Sequence, residues 1–300
     1  MAMDFLESDD FAVVLGLKTS IYPERNLADG QEFERHRRLM FYLRRNSQES
    51  EAQRDVVWSR FCALYLPATI NRLLSLSVPT DAINAAERDM IADFSANNPW
   101  HEMLVQIQHI PYLAKYLRSS NPIAAPGKHL PQLLAERLAA MSGRWDRKML
   151  AVARSPSDED KRQYYIAATG SAVQLLSTLC THYINERDRT TVISSETQQN
   201  LLPFLLIWSR RYHGQFLGDV SSRMIAFVSG EPTLDQEFNR VRRSYKNWDV
   251  CGLPSCNVRK ALKVCARCQT VRYCSPDHQR IDWSQGAGSL HKYSCFRTEY

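Results

Sequence analysis

Apolar residues recur at helical spacing along most of the chain before residue 250. The clearest case follows Pro131, where five apolar residues are separated by steps of four, three, four and four: Leu134, Leu138, Met141, Trp145 and Met149. Residues at these steps lie on one face of an α-helix. The two-residue alternation of a half-buried strand is not evident in this part of the chain. The pattern therefore predicts an all-α body.

The same spacing predicts helices in further segments, separated by proline, glycine or polar residues. These segments are 11–17, 31–45, 50–66, 67–74, 80–95, 98–110, 160–183, 201 onward and 234–245. Pro67 is predicted to divide two helices, and a capping box is predicted to start at Ser157. Residues 119–130 and 194–200 are predicted to be loops. Because no repeat of fixed period is present, we expect an irregular helical array, with solenoid-like stacking as one possible arrangement.

The segment from Cys251 to Cys295 is rich in metal-binding side chains, with six cysteines and two histidines. In order they are Cys251, Cys256, Cys265, Cys268, Cys274, His278, His291 and Cys295. Zn²⁺ prefers four tetrahedral Cys or His ligands, so eight donors suit two closed structural sites. Closely spaced cysteines mixed with histidines are typical of metal binding rather than of disulfides. Spacing alone leaves the pairing open between a sequential and an interleaved arrangement.

Three consecutive residues predict the start of a short helix inside this segment. Ser275 is suited to cap it, Pro276 to its first turn, and Asp277 to the positive end of its dipole. Cys274 lies just before this start and His278 within the first turn. One helix N-terminus can therefore present both donors to a single ion.

The donors and the residues around them form an ordered pattern, which is carried by Cys251, Cys256, Cys265, Cys268, Arg272, Tyr273, Cys274, Ser275, Gln279, Asp282, Trp283, His291, Lys292 and Cys295. This pattern resembles the MYND-type zinc finger. The resemblance implies interleaved pairing and two structural zinc ions. It implies that one zinc is held by Cys251, Cys256, Cys274 and His278, and the other by Cys265, Cys268, His291 and Cys295. Two departures are a histidine at position 278, where the family usually has cysteine, and a longer spacer at 284–290.

Pattern and resemblance together divide the chain into an α-helical domain at 1–247 and a finger at 251–295. In the resembling family, the finger binds short proline-rich peptides in a shallow groove that uses a glutamine and a tryptophan of one helix. These roles carry over to Gln279 and Trp283, which are four residues apart and share one helix face. Ala266 stands where a small polar residue would assist peptide binding. The resemblance therefore implies a zinc-binding adaptor for protein partners, in transcriptional or other regulation.

No catalytic motif is found in the sequence, because phosphate-binding glycine loops and the Gly-x-Ser-x-Gly elbow are both absent. Some proteins with this finger are lysine methyltransferases, in which a β-rich SET domain surrounds the finger and continues after it. The helical body and the five residues after Cys295 do not fit that arrangement. Zinc sites filled by four protein ligands have no open position for water, so we expect structural zinc. The sequence predicts that the protein is not an enzyme.

Composition is that of an ordinary globular protein, with 44% hydrophobic and 23% charged residues. The N-terminus is acidic where a signal peptide would be basic. The longest apolar run, 201–208, is far shorter than the roughly 20 residues that span a bilayer. Only Cys62 and Cys180 lie outside the finger, and zinc-binding thiols need a reducing compartment. We therefore expect an intracellular protein, nuclear or cytoplasmic, that does not bind membranes.

The alternative interpretation is a nucleic-acid-binding regulatory protein that uses the basic finger and a basic helix before it. The net charge is +6, and the finger has seven Lys or Arg against two Asp. The preceding helix adds Arg240, Arg242, Arg243 and Lys246. Such a surface can meet phosphates. The finger helix lacks base-reading arginines on its Gln and Trp face, however, so the sequence favours peptide binding.

Overall fold

The computed structural model describes residues 6–76, 93, 98–152, 154–183, 192–230, 250–284 and 291–300. Before the finger, the α-helices are α1 (Ser8–Val14), α2 (Glu32–Asn46), α3 (Glu51–Ser75), α4 (Pro99–Ile107), α5 (Pro111–Arg118), α6 (Leu130–Leu150), α7 (Pro156–Tyr183), α8 (Ser195–Arg211) and α9 (Phe216–Ser229). Short 3-10 helices lie at Pro23–Arg25 and Pro122–His129. The finger contains strands β1 (Lys263–Val264) and β2 (Arg272–Tyr273), then α10 (Pro276–Ser284) and α11 (His291–Ser294). The predicted all-α body followed by a small finger is confirmed.

The chain is organised in two compact units. The first comprises Met1–Arg72, His109–Gly127 and Asn239–Tyr300, and the second comprises Leu73–Gln108 and Lys128–Phe238. The finger thus belongs to a unit that also contains α1, α2 and α5. The predicted boundary between an α-helical domain at 1–247 and a finger at 251–295 stays a prediction.

The core of the second unit lies between α6, α7, α8 and α9. These helices contact one another in a closed cycle, α6 with α7, α7 with α9, α9 with α8 and α8 with α6. The five apolar residues predicted to share one face of α6 are all buried. Trp208 of α8 is also fully buried, and its indole N–H donates to Asp146 Oδ1 at 2.9 Å. A buried tryptophan with a partner for its N–H combines a large apolar contact with a satisfied polar group.

In the first unit, a buried arginine joins α1 to α2. Arg35 is only 2% exposed, and its Nη1 donates to the carbonyl of Val14 at 2.7 Å. Its Nη2 donates to the carbonyl of Leu27 at 3.2 Å. The carbonyls at a helix C-terminus attract cations, which explains the position of this guanidinium at the end of α1. Gly16 allows the close approach, because its φ is +68° and a Cβ there would lie 2.7 Å from Arg35 Nη1.

The predicted helix boundary at Pro67 is wrong, because α3 continues through this residue. A proline inside a helix removes one backbone hydrogen bond and disfavours the helical conformation of the residue before it. Leu66, Ile70 and Leu73 are fully buried around it, so their packing outweighs this cost. Tertiary burial decided the boundary against the local signal.

Three further local predictions are corrected. The predicted loop at 119–130 contains the 3-10 helix Pro122–His129. The predicted loop at 194–200 is the start of α8, whose cap is Ser194, with its hydroxyl accepting the N–H of Thr197 at 3.3 Å. The cap of α7 is Ser155 rather than Ser157, because Ser155 Oγ accepts the N–H of Asp158 at 3.2 Å. Polar first turns that face solvent lack the apolar period and so resemble loops in the sequence.

The helix predicted at 234–245, the basic residues Arg240, Arg242, Arg243 and Lys246, and nearly all of the helix predicted at 80–95 lie outside the described residues. Within the described ranges, no helix is both long and apolar enough to cross a bilayer.

Packing in the second unit can be tested at two adjacent leucines of α8. Leu205 is fully buried, whereas Leu206 is 38% exposed. Leu205→Ala is expected to lower the free energy of unfolding by about 2–5 kcal/mol, because it removes buried atoms and leaves a cavity. Leu206→Ala, the matched control, should change it by only about 0.5 kcal/mol. Urea denaturation followed by far-UV circular dichroism measures both, and equal effects would contradict the described core.

Candidate metal centre

The finger contains a short hairpin that carries three of its six cysteines. Strands β1 and β2 pair in antiparallel register, with Lys263 opposite Tyr273. The two-cysteine turn from Cys265 to Cys268 follows β1 directly, and Cys274 follows β2. The N–H of Cys265 donates to Val271 O at 2.8 Å, which closes the turn at its base. The register therefore places Cys265 and Cys268 at the loop end of the hairpin and Cys274 at its opposite, open end.

The helix start predicted after Cys274 is present. The Ser275 hydroxyl accepts the N–H of His278 at 3.2 Å, as expected of an N-terminal cap. Helix α10 begins at Pro276. This geometry brings His278 Nδ1 within 3.1 Å of Cys274 Sγ.

The first group of donors consists of Cys251, Cys256, Cys274 and His278, whose ligand atoms all lie within 4.8 Å of one another. Cys256 Sγ is 3.8 Å from Cys274 Sγ, and Cys251 Sγ is 3.5 Å from His278 Nδ1. Cys251 and Cys256 are buried, whereas Cys274 and His278 are half-buried. One side of this group therefore faces solvent.

The second group consists of Cys265, Cys268, His291 and Cys295, again with ligand atoms within 4.8 Å of one another. Cys265 Sγ is 3.8 Å from Cys295 Sγ, and Cys268 Sγ is 3.3 Å from His291 Nε2. All four residues are buried. The eight donors are thus grouped in the interleaved order, and the sequential order is not the one that the fold forms.

The distances within both groups fit a tetrahedral zinc ion. A Zn–S bond of about 2.3 Å at tetrahedral angles sets two sulfurs about 3.8 Å apart, and a sulfur and a nitrogen about 3.5 Å apart. Two S···S contacts, one in each group, measure 3.8 Å and match this value. They are far longer than a disulfide bond of about 2.05 Å, and all six cysteines are free thiols. Two groups of three cysteines and one histidine therefore fit two structural zinc ions.

The electrostatics of the second group favour a thiolate, which is the form that binds metal. Hydrogen bonds from Cys295, from His291 and from the N–H and hydroxyl of Thr270 lower the pKa of Cys268 to about 3. The same Cys268–Cys295 contact raises the pKa of Cys295. Like charges this close oppose each other's ionisation, and a divalent cation between them removes that conflict.

In the first group, burial alone would raise the pKa of Cys251. Hydrogen bonds with the backbone of Cys274 and Leu253 and with His278 outweigh this effect and lower the pKa to about 7. Outside the finger, Cys62 and Cys180 are fully buried, and burial raises the pKa of both thiols. Among the described residues, the six cysteines of the finger lie in groups of potential metal ligands, whereas Cys62 and Cys180 do not.

The finger is attached to α5 through its backbone. The Tyr112 hydroxyl lies 2.7 Å from Ser294 O and accepts the N–H of Phe296 at 2.6 Å. Lys115 Nζ donates to the carbonyl of Cys268 at 3.2 Å. The sequence offered no sign of these contacts, because Tyr112 and Lys115 lie about 150 to 185 positions away and bind backbone groups, which any residue supplies.

The two residues predicted to bind peptide lie on α10 and are both half-buried. The Trp283 ring stands edge-on to His291, with centroids 5.7 Å apart at 85°. Gln279 Nε2 donates to Cys265 Sγ at 3.6 Å, which links this side chain to the second group. Ala266, in the turn between Cys265 and Cys268, is exposed. Trp283 thus packs against His291 and keeps part of its indole exposed to solvent.

Two closed groups of cysteine and histidine on a hairpin and a short helix define a zinc-binding module. The family model of the MYND finger matches residues 250–295, which confirms the predicted resemblance: this segment is a MYND-type zinc finger. Comparison of the chain with curated proteins and with solved structures finds no match. MYND fingers are binding domains that mediate protein–protein interaction and are not catalytic.

Removal of zinc is expected to unfold the finger before the helical body. Structural zinc supplies about 10–16 kcal/mol in finger peptides, far more than the packing of so small a domain. Chelator titration should abolish the near-UV circular dichroism of Trp283, obtained as the difference between wild type and Trp283→Phe. Most of the far-UV helical signal should remain. A near-UV difference unchanged after complete zinc removal would contradict this expectation.

Proposed function

We propose that the eight donors are the ligands of two zinc ions. The first zinc is held by Cys251, Cys256, Cys274 and His278, and the second by Cys265, Cys268, His291 and Cys295. The observation that supports this assignment is the separation of the donors into two groups, each with its ligand atoms within 4.8 Å. Four protein ligands close each site, so the metal fixes the fold and leaves no position for a reactive water.

The ligand assignment predicts zinc contents for single substitutions. Cys256→Ala and Cys265→Ala should each reduce the bound zinc from two ions to one, because each removes a ligand from a different site. Cys180→Ala is the matched control, since Cys180 is equally buried but lies outside the finger, and it should retain two ions. Native mass spectrometry and elemental analysis measure the content. Two ions retained by either finger variant would show that its cysteine is not a ligand.

We further propose that the finger recognises short proline-rich segments of a protein partner through Gln279 and Trp283. The supporting observation is that both side chains lie on α10 and are half-buried, with the indole perpendicular to the imidazole of His291. A proline-rich segment is already extended in water, so it loses little entropy when its rings pack on an aromatic surface. The protein would then act as a zinc-dependent adaptor, with a role in transcriptional or other regulation.

Nucleic-acid binding remains the second candidate because of the charge of the finger. Arg259, Lys260, Lys263 and Arg267 are exposed, and none forms an ion pair with a described carboxylate. Unpaired cations can replace counterions along a phosphate backbone, which would make binding steeply dependent on salt. This candidate does not require Trp283, so a substitution there distinguishes the two functions.

The zinc-loaded 300-residue chain should bind members of a proline-rich peptide array. Trp283→Ala should weaken that binding at least about tenfold, as expected for a central aromatic contact. Tyr293→Ala is the matched control, because Tyr293 is a 54% exposed aromatic residue of the finger outside α10. A labelled DNA duplex is tested in parallel at several salt concentrations.

The peptide proposal would be wrong if correctly metallated protein bound no peptide, or if Trp283→Ala and Tyr293→Ala had the same effect. Salt-sensitive binding of the duplex that survives Trp283→Ala would instead support the nucleic-acid candidate.

A further inference from the structure

A buried chain of hydrogen bonds ends at one of the proposed zinc ligands. The Tyr273 hydroxyl lies 2.6 Å from Asp282 Oδ2 and also contacts His291 Nδ1. Tyr273 and Asp282 are each 2% exposed and His291 is 6% exposed. Water therefore has little access to this chain, and each polar atom depends on its protein neighbours.

The number of protons available determines the direction of each hydrogen bond. An ionised carboxylate only accepts, so the single O–H of Tyr273 is donated to Asp282. The phenol oxygen can then only accept from His291, which places the imidazole proton on Nδ1. His291 Nε2 is left with its lone pair, and this atom lies 3.3 Å from Cys268 Sγ inside the second group. These hydrogen bonds thus select the His291 tautomer with its proton on Nδ1, which leaves the lone pair on Nε2 to bind a metal.

We propose that Tyr273 and Asp282 are positioning residues that hold His291 in the orientation and tautomer required by the second zinc. The proposal rests on the ligand assignment made above. A metal-binding histidine is ordinarily oriented by a partner of its other ring nitrogen, and loss of that partner weakens metal binding about 10–100-fold. Here the partner is a phenol, and a buried carboxylate orients that phenol in turn.

The carboxylate itself supplies a second observation. Asp282 Oδ1 is buried and has no hydrogen-bond partner among the described residues. A buried carboxylate with one unpaired oxygen is costly, so packing alone does not favour an aspartate at this position. Its contribution is the negative charge beside the phenol, which holds the hydroxyl proton in one direction. A neutral residue of the same shape would fill the space but hold that proton less firmly.

The test uses two variants of the 300-residue chain. Tyr273→Phe removes the hydroxyl and keeps the ring, and Asp282→Asn removes the charge and keeps an acceptor. Competition with a chelator gives the affinity of each zinc site. Tyr273→Phe should weaken zinc binding at the second site about 10–100-fold and leave the first site unchanged. Asp282→Asn should give the second site an affinity between those of wild type and Tyr273→Phe. Tyr293→Phe is the matched control, because it removes the hydroxyl of an exposed tyrosine two residues after His291.

The tautomer is measured independently of affinity by long-range ¹H–¹⁵N spectra of the imidazoles. Wild type should show His291 protonated at Nδ1, and Tyr273→Phe should lose the hydrogen-bonded Nδ1 proton signal. If both zinc sites weakened equally in Tyr273→Phe while the His291 signals stayed unchanged, the residue would be merely structural and the proposal wrong. The proposal would also be wrong if the second site of Tyr273→Phe bound zinc as tightly as the second site of Tyr293→Phe.

His291→Ala separates this proposal from the ligand assignment. If His291→Ala still bound two zinc ions with wild-type affinity, His291 would not be a ligand, and both proposals would fall. If His291→Ala lost one ion while Tyr273→Phe kept full affinity, the ligand assignment would stand and the positioning role would be wrong. Loss of one ion in His291→Ala together with selective weakening in Tyr273→Phe supports both.

Discussion

The finger depends on the convergence of sulfur and imidazole donors around a cation. Each group collects three cysteines and one histidine within 4.8 Å. Thiolates this close repel one another strongly when they are shielded from water, and a divalent ion converts that repulsion into attraction. A domain with a hairpin of two-residue strands and two short helices, α10 and α11, has little apolar surface to bury. Zinc therefore replaces the hydrophobic core as the main source of folding energy.

The rest of the first unit is arranged around this metal-dependent module. Helix α5 holds the finger through Tyr112 and Lys115, which bind carbonyl and N–H groups beside Cys268 and Cys295. These contacts engage the backbone at and beside two donors of the second group, so we expect metal binding and attachment to α5 to support each other. Among the contacts of the described residues, those that attach the finger to α5 do not include Gln279 or Trp283, the two half-buried residues proposed to bind a peptide. The second unit, by contrast, is held by the apolar faces of four mutually packed helices.

The two zinc groups differ in their surroundings, and the difference follows from their position in the finger. The second group is buried, and Thr270, Gln279 and the Tyr273–Asp282 pair hydrogen-bond to its donors. The first group has Cys274 and His278 half-buried beside the start of α10. A buried site with oriented ligands is expected to hold its metal more firmly than a partly exposed one. The contact between Gln279 and Cys265 also places a proposed peptide-binding residue against a proposed zinc ligand.

Properties that depend on neighbours in the sequence could be determined without the structure. The period of apolar residues identified the buried face of α6, because helix geometry alone sets which residues share a side. The number and order of the donors predicted two zinc ions, and Ser275 predicted the start of α10. Local signals failed where packing competed with them. Pro67 did not end α3, and the polar residues after Ser194 belong to a helix.

Only the tertiary structure decided which distant groups meet. Spacing left the pairing of donors open, because chain length does not determine how a hairpin folds back on itself, and the resemblance alone favoured the interleaved order. In the structure, His278 Nδ1 and His291 Nε2 are the ring nitrogens that lie beside sulfurs of their groups, and the Tyr273 hydroxyl contacts the other ring nitrogen of His291. Tyr273 and Asp282 matched the MYND pattern, but the sequence assigned them no function. No sequence pattern indicated that Tyr112 contacts the finger. Their contacts arise when segments far apart in the sequence pack together, which residue types and local spacing do not specify.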